Sequence, residues 1–235
     1  MLAAHGSADP RSAANARAVA GWLGRMRPGL DVRVAFCELN SPSLSDVLIG
    51  CDRDAVVTPL LLADAYHARI DIPQQIARCG VAVRPALRQA DVLGEDDRLV
   101  SVLHERLAEL GVDRLDPELG VVVVAIGSSH AAANARTAQV AGKLIAGTGW
   151  AGATTAFATG SGMSPARAAH RLRRRGATRL VIAPWFLAHG RITDRIADYA
   201  GHAGIPMAEP LGAHRLVAAT VLDRFDEALA DRVAA

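Results

Sequence analysis

Two histidines and a glutamate carry most of the chemistry this sequence can offer. His5 stands in His5-Gly6-Ser7-Ala8-Asp9-Pro10-Arg11, Glu38 in Phe36-Cys37-Glu38-Leu39, and His67 in Asp64-Ala65-Tyr66-His67-Ala68-Arg69. Each lies at or just beyond the end of an apolar run with strand character: Leu2–Ala4, Asp31–Phe36 and Ala55–Leu62. In an open α/β sheet, ligands bind outside the carboxyl ends of the strands. All three side chains are therefore expected on one edge of a sheet. Two imidazoles and a carboxylate suit a divalent first-row metal that keeps open coordination positions. Imidazoles that titrate near neutrality also accept protons. Taken singly, each residue has a plainer reading: a loop histidine as a cap, Glu38 as a solvated carboxylate, Asp64 and Tyr66 as ordering groups of their loop. The joint placement favours chemistry, because unrelated surface residues have no reason to share one edge.

Around this trio, Ser7, Arg11 and Arg69 are candidates for substrate contact. Arg69 is two residues from His67 and suits an acidic substrate, as does Arg11, which could instead brace its loop through Asp9. Gly160-Ser161-Gly162 could offer backbone N–H groups to an anion, but its spacing is that of neither a dinucleotide nor a P-loop motif. The run Arg171, Arg173, Arg174, Arg175 reads as a solvated cationic helix end, favoured by the helix dipole.

The elements that must position these residues alternate. Val19, Trp22, Leu23 and Met26 mark one face of a helix over Ser12–Arg27, stopped by Pro28-Gly29. A short helix over Pro42–Ile49 has Ser41 as N-cap, a helix covers Pro73–Cys79, Val81–Arg84 is a strand, and Asp96–Leu110 is a longer helix. The order then repeats: strand Gly120–Ile126, helix Ala131–Ala146, strand Ala153–Ala158, helix Pro165–Arg175, strand Leu180–Leu187, helix Ile192–Ala203, a short strand over 205–208, and a final helix over Arg215–Val233. Alternation of this kind predicts parallel sheets with helices on both faces.

The repeat is legible residue by residue. Ala13-Ala14-Asn15-Ala16-Arg17 recurs as Ala132-Ala133-Asn134-Ala135-Arg136, and Gly6-Ser7 as Gly127-Ser128. Phe36 and Ser41-Pro42 recur as Phe157 and Ser164-Pro165, Pro59 as Pro184, and Leu93-Gly94 as Leu211-Gly212. Two domains follow, 1–115 and 119–235, joined around Gly111–Leu119. The copy acts as an internal control. Ile126 stands where His5 would be and Thr159 where Glu38 would be, while the loop after Pro184 has no counterpart of His67; His130 and His189 are out of register. One site per chain, in the first half, is the expectation.

Composition narrows the class. With 51% hydrophobic and 21% charged residues the chain is core-forming, not disordered. A net charge of +2 and only 4% aromatic residues argue against a nucleic-acid partner. Three cysteines without CxxC spacing read as reduced thiols of a cytoplasmic protein. Neither an export signal nor a membrane span is expected. The few residues before His5 imply a short first strand and a natural start upstream.

These residues resemble the sirohydrochlorin chelatases, the class II chelatases of sirohaem and cobalamin biosynthesis. The family's motifs are similar to His5-Gly6-Ser7-Ala8-Asp9-Pro10-Arg11, to Phe36-Cys37-Glu38-Leu39 followed by Pro42-Ser43-Leu44, and to Val56–Leu62 followed by Tyr66-His67 and Asp71-Ile72-Pro73. The second half resembles the degenerate half of the long, two-domain members, so the likeness covers nearly the whole chain. One departure is the absence of the glycine that often precedes the third-motif histidine; Asp64-Ala65-Tyr66 stands there.

The resemblance implies two chelatase-like, Rossmann-like α/β domains related by a pseudo-two-fold axis. It also implies insertion of Fe²⁺, Co²⁺ or Ni²⁺ into a tetrapyrrole without any nucleotide. His5 and His67 would hold the metal and accept protons, and Glu38 would assist as acid/base or ligand. The divalent metal is then a substrate, not a resident cofactor, and the chain is expected to be a monomer or weak homodimer. A non-catalytic metal or tetrapyrrole carrier is the alternative on the same fold. A phosphoryl-transfer enzyme with His5 as nucleophile is disfavoured, because that chemistry needs cationic clamps beside the histidine.

Overall fold

The computed structural model describes residues 1–79, 87–160 and 162–230. They form two compact units: Met1–Gly94 with Ala213–Ala235, and Glu95–Gly212.

In the first unit, β1 (Leu2–Ala4), β2 (Val34–Phe36), β3 (Ala55–Pro59) and β4 (Leu87–Gln89) make a parallel sheet of order β2-β1-β3-β4. Three helices follow strands of this sheet: α1 (Pro10–Met26), α2 (Leu44–Ile49) and α3 (Ile72–Arg78). A π-type turn over His67–Asp71 runs directly into α3. Ala3, Ala35, Leu44, Leu48, Val57 and Ile72 form the core between this sheet and its helices. Burial of both sheet faces explains why β3 reads as a continuous aliphatic run rather than an alternating one. The expected strand Val81–Arg84 falls outside the described residues.

Helix starts follow local chemistry. Asp9 caps α1, accepting from the Arg11 N–H, and Pro10 occupies the first turn, where its missing N–H costs nothing. The cap of α2 is Ser43, not Ser41. Ser43 and Asp46 close a reciprocal capping box, and Ser41-Pro42 is a cis peptide just outside the helix.

The second unit begins with α4 (Asp97–Glu109). Its sheet has the order β6-β5-β7, built from β5 (Leu119–Ala125), β6 (Gly152–Phe157) and β7 (Arg179–Pro184), all parallel. The central strand again comes first in sequence, so the two sheets share one topology. Every residue of β5 is buried. The helices are α5 (Ala131–Thr137), α6 (Gln139–Ile145), α7 (Pro165–Arg174) and α8 (Arg191–Ala203). The single helix expected over Ala131–Ala146 is thus two. The strand expected at 205–208 reduces to one bridge, Ile182 to Met207. Phe36 N–H donates to Pro42 O and Phe157 N–H to Met163 O, and Ser43 and Ser164 are the caps that follow. The repeat therefore aligns Ser43 with Ser164, a shift of two from the match read on Ser41-Pro42.

The compact units do not coincide with the domains 1–115 and 119–235 read from the repeat. Helix α4, encoded in the first repeat, belongs to the second unit, while α9 (Arg215–Ala230), encoded in the second, belongs to the first. The terminal helices are exchanged. In the first unit Arg224 of α9 donates through Nε to Val92 O (3.1 Å) and through Nη2 to Leu93 O (3.2 Å), with Glu227 on Nη1. In the second, Arg106 of α4 donates through Nε to Pro210 O (3.1 Å) and through Nη2 to Leu211 O (3.3 Å), with Glu109 on Nη1. The same guanidinium clamp is built twice. An ion pair of Arg27 with Asp226 further fastens α9 to α1.

Candidate functional site

The carboxyl edge of the first sheet brings His5, Glu38 and His67 together. His5 follows β1, where Gly6 takes φ +98. A Cβ on Gly6 would sit 1.8 Å from Glu38 O, so only glycine lets the two loops approach. The backbone completes this junction: Cys37 N–H donates to Ala4 O (2.9 Å) and Glu38 N–H to His5 O (3.0 Å). Leu39 follows with φ +62, and Asn40 N–H reaches back to Glu38 O (2.7 Å). A left-handed leucine is strained, and strain of this kind gathers at functional loops.

The rings of His5 and His67 meet edge-on, centroids 3.9 Å apart. His5 Nδ1 lies 2.9 Å from Gly6 O and 3.3 Å from Glu38 Oε1. His67 Nδ1 lies 3.1 Å from Asp71 Oδ2. A carbonyl or carboxylate oxygen can only accept, so both Nδ1 atoms act as donors, and in the neutral imidazole each Nε2 keeps its lone pair. Two imidazoles with free Nε2 atoms can ligate a metal or take up protons.

The turn bearing His67 is held from two sides: Gln75 Nε2 donates to Asp71 Oδ1 (2.9 Å), and Gln89 Nε2 donates to Ala68 O (2.7 Å). Tyr66 has ordinary right-handed backbone angles, φ −48 and ψ −49, so no glycine is needed before His67. Its ring stands edge-on to His67. Leu39, Tyr66 and Ile70 remain exposed large apolar side chains of this region.

Cys37, next to Glu38, is not a thiolate at neutral pH. Burial pushes its thiol up to about 12, with the charges of Asp71 and Glu38 adding to the shift. All three cysteines are free thiols. Among the described residues, no group of three or more His, Cys, Asp or Glu side chains is arranged as a ready metal cage. The trio is an open arrangement, with Glu38 against His5 and His67 against its own carboxylate.

The other candidates are engaged in their own loops. Arg11 makes a forked pair with Asp9 (Nε–Oδ1 3.0 Å, Nη2–Oδ2 2.6 Å), and Arg69 pairs with Asp64. The Ser7 hydroxyl accepts from Asp9 N–H. All three brace the structure around the trio. Asp71 stood in the third motif without a role assigned to it, and Gln75 and Gln89 were not singled out from sequence. The spacing of His67 and Asp71, four apart beside a helix start, was the available signal for Asp71.

In the second unit His189 Nε2 pairs with Glu209 (2.7 Å). Ile126 and Thr159 occupy the places of His5 and Glu38, since Thr159 N–H donates to Ile126 O (2.8 Å) as Glu38 N–H does to His5 O. Among the described residues, no helix is long and apolar enough to cross a membrane.

A duplicated parallel α/β scaffold, equipped at one sheet edge with two imidazoles and a carboxylate, defines a tandem chelatase-like protein. The CbiX family model matches residues 1–110 and 120–228, and the chain belongs to that family, in its long two-domain form. It is 28% identical to the sirohydrochlorin ferrochelatase of Priestia megaterium, covering 84% of this chain and 76% of that protein. It is 26% identical to the sirohydrochlorin cobaltochelatase of the same organism, covering 84% and 67%. SirB from Bacillus subtilis, solved with Fe³⁺, superposes with a TM-score of 0.84 at 22% identity over 99% of this chain and 96% of that one. CbiX, described as the terminal enzyme of sirohaem biosynthesis in denitrifying bacteria, gives 0.71 at 23% identity over 97% of both chains. Both structures share the fold.

Proposed function

We propose that the chain inserts a divalent metal, iron or cobalt, into sirohydrochlorin without ATP. The reaction is that of a lyase of tetrapyrrole biosynthesis, and both metals and the macrocycle are substrates. The observation that carries the reading is the pair of imidazoles in ring contact, each with Nδ1 engaged and Nε2 free. Metal insertion must remove two pyrrole N–H protons and exchange the ion's water ligands for four nitrogens. His5 and His67 hold the ion loosely through Nε2, as an incomplete ligand set should if the ion is to be released. As the ion passes to the macrocycle, the Nε2 atoms it leaves free take the two pyrrole protons. The imidazolium formed at His5 is stabilised by the Glu38 carboxylate, which is half-exposed and can pass the proton to water. Leu39 and Tyr66, exposed apolar side chains, suit the flat face of a macrocycle.

The test incubates sirohydrochlorin with Fe²⁺, Co²⁺ or Ni²⁺ and follows the absorption spectrum. A rate well above the spontaneous one with at least one metal is expected; equality with all three overturns the reading. A carrier of metal or tetrapyrrole would bind without turnover, and Glu38 beside His5 favours the enzyme. Phosphoryl transfer through His5 gains no support, since Arg11 is paired with Asp9.

A further inference from the structure

The turn after β3 holds a carboxylate that the proposed chemistry leaves without a task. Asp71 is half-buried and bridges two partners. Its Oδ2 lies 3.1 Å from His67 Nδ1, while its Oδ1 accepts from Gln75 Nε2 at 2.9 Å. The same Gln75 nitrogen donates to Cys37 O (3.2 Å), the carbonyl next to Glu38. The backbone fixes the spacing. Ile72 N–H bonds to His67 O, one residue further back than in an α-helix. Pro73 lacks an N–H, and its ring crowds the carbonyl four residues earlier, which favours this widened turn. Gln89 then satisfies the Ala68 carbonyl.

The two carboxylates beside the two histidines are therefore built differently. Glu38 is half-exposed and, among the described residues, His5 is the partner of its side chain. Asp71 is tied at both oxygens. We propose that Asp71 is a positioning residue that fixes the tautomer and aim of His67, with Gln75 as its anchor to the Glu38 loop. What His67 does with its free nitrogen rests on the chelatase reading; how that nitrogen is kept free does not. A free imidazole prefers its proton on Nε2. A fixed carboxylate at Nδ1 reverses that preference and presents the Nε2 lone pair, as carboxylates behind metal-ligating histidines commonly do.

The full chain, labelled with ¹⁵N-histidine, tests this at about pH 8, above the ordinary imidazole pKa of about 6.5. Two-bond ¹H–¹⁵N spectra are expected to show His67 in the Nδ1–H form. Asp71→Ala moves it to Nε2–H. Calorimetric titration with Co²⁺ alone should show affinity falling about 10–100-fold in Asp71→Ala. Should the alanine variant be unstable, Asp71→Ser, too short to reach Nδ1, repeats both measurements. An unchanged tautomer, or unchanged Co²⁺ affinity, in the shortened variant overturns the proposal. The two readings fail separately. A wild-type chain without chelatase turnover removes the function while the tautomer and Co²⁺ results still judge Asp71. Normal turnover with an unchanged tautomer in Asp71→Ala removes Asp71 alone.

Discussion

The same corner is built twice in this chain, and only the first copy carries His5 and Glu38, where the second has Ile126 and Thr159. Gly6 and Gly127 both take positive φ, +98 and +93, and both face a backbone oxygen that would collide with a Cβ, at 1.8 Å from Glu38 O and 2.4 Å from Thr159 O. Strand-end hydrogen bonds recur in register: Cys37 to Ala4 beside Ala158 to Ala125, and Glu38 to His5 beside Thr159 to Ile126. Backbone geometry is thus held constant while the side chains change. The difference teaches that close packing of two loops needs the glycine, whereas the proposed metal chemistry needs only the groups mounted on it. The second corner keeps the cost of the design and lacks the trio.

The largest effect separating the corners should come from the trio. His5→Ala or His67→Ala is expected to lower chelatase turnover by at least about 100-fold, the usual scale for losing a positioned proton acceptor. Ile126→Ala and Thr159→Ala should leave the rate at the wild-type level in the same spectroscopic assay. Comparable losses in both corners would break the asymmetry. Next in size, Gly6→Ala and Gly127→Ala should each destabilise the fold by about 1–3 kcal/mol in denaturant melts, because each forces strained backbone or displaced neighbours. Only Gly6→Ala should also slow turnover, since it displaces Glu38.

Smaller is the loss of a helix cap. Ser43→Ala and Ser164→Ala are each expected to cost about 1 kcal/mol in thermal or denaturant unfolding. Ser43→Ala should cost the more, because its capping box makes two reciprocal bonds.

The smallest contrast is in acid. In the second unit, burial first and Arg114 second push His104 below its ordinary 6.5. The unfolded chain then binds that proton first, so stability is lost as pH falls below 6.5 toward the folded value. In the first unit, hydrogen bonding to Arg27 holds Asp226 below its ordinary 3.8. Its contribution is present above 3.8 and is lost as pH falls through the folded value. Both members of that pair are substantially solvent-exposed, so it is worth under about 1 kcal/mol. Unfolding midpoints against pH should show the second unit weakening first, with His104→Asn flattening the upper limb and Asp226→Asn the lower one.

Much of the first corner was readable because strand ends announce themselves. Ala4, Phe36 and Pro59 close apolar runs, and the residues that follow are placed by the direction of a parallel sheet. The duplication was readable because it preserved Gly6-Ser7, Phe36 and Leu93-Gly94 as words. Three things were not. The π-type turn has no hydrophobic period of its own, and only Pro73 hints at it. The engagement of Arg11 and Arg69 by Asp9 and Asp64 depends on loop shape, although each carboxylate stands only a few residues away. The exchange of α4 and α9 is a tertiary choice: an amphipathic face says that a helix must cover something, not which half of the chain it covers. The echo of Arg106-x-x-Glu109 in Arg224-x-x-Glu227 was in the sequence and marks the clamps that hold the exchanged helices.

That exchange sets an order of events during synthesis. Domains ordinarily fold as they leave the ribosome, the N-terminal one first. Here the unit that begins at Met1 also contains α9, about two hundred residues later, and closing so long a loop precedes any reward from the contacts it brings. The unit made of Glu95–Gly212 is continuous in the chain. The unit that carries His5 and His67 is begun before the other and completed after it, with α9 missing while Glu95–Gly212 matures. A nascent chain is therefore without the complete unit that bears His5 and His67 until α9 has been made.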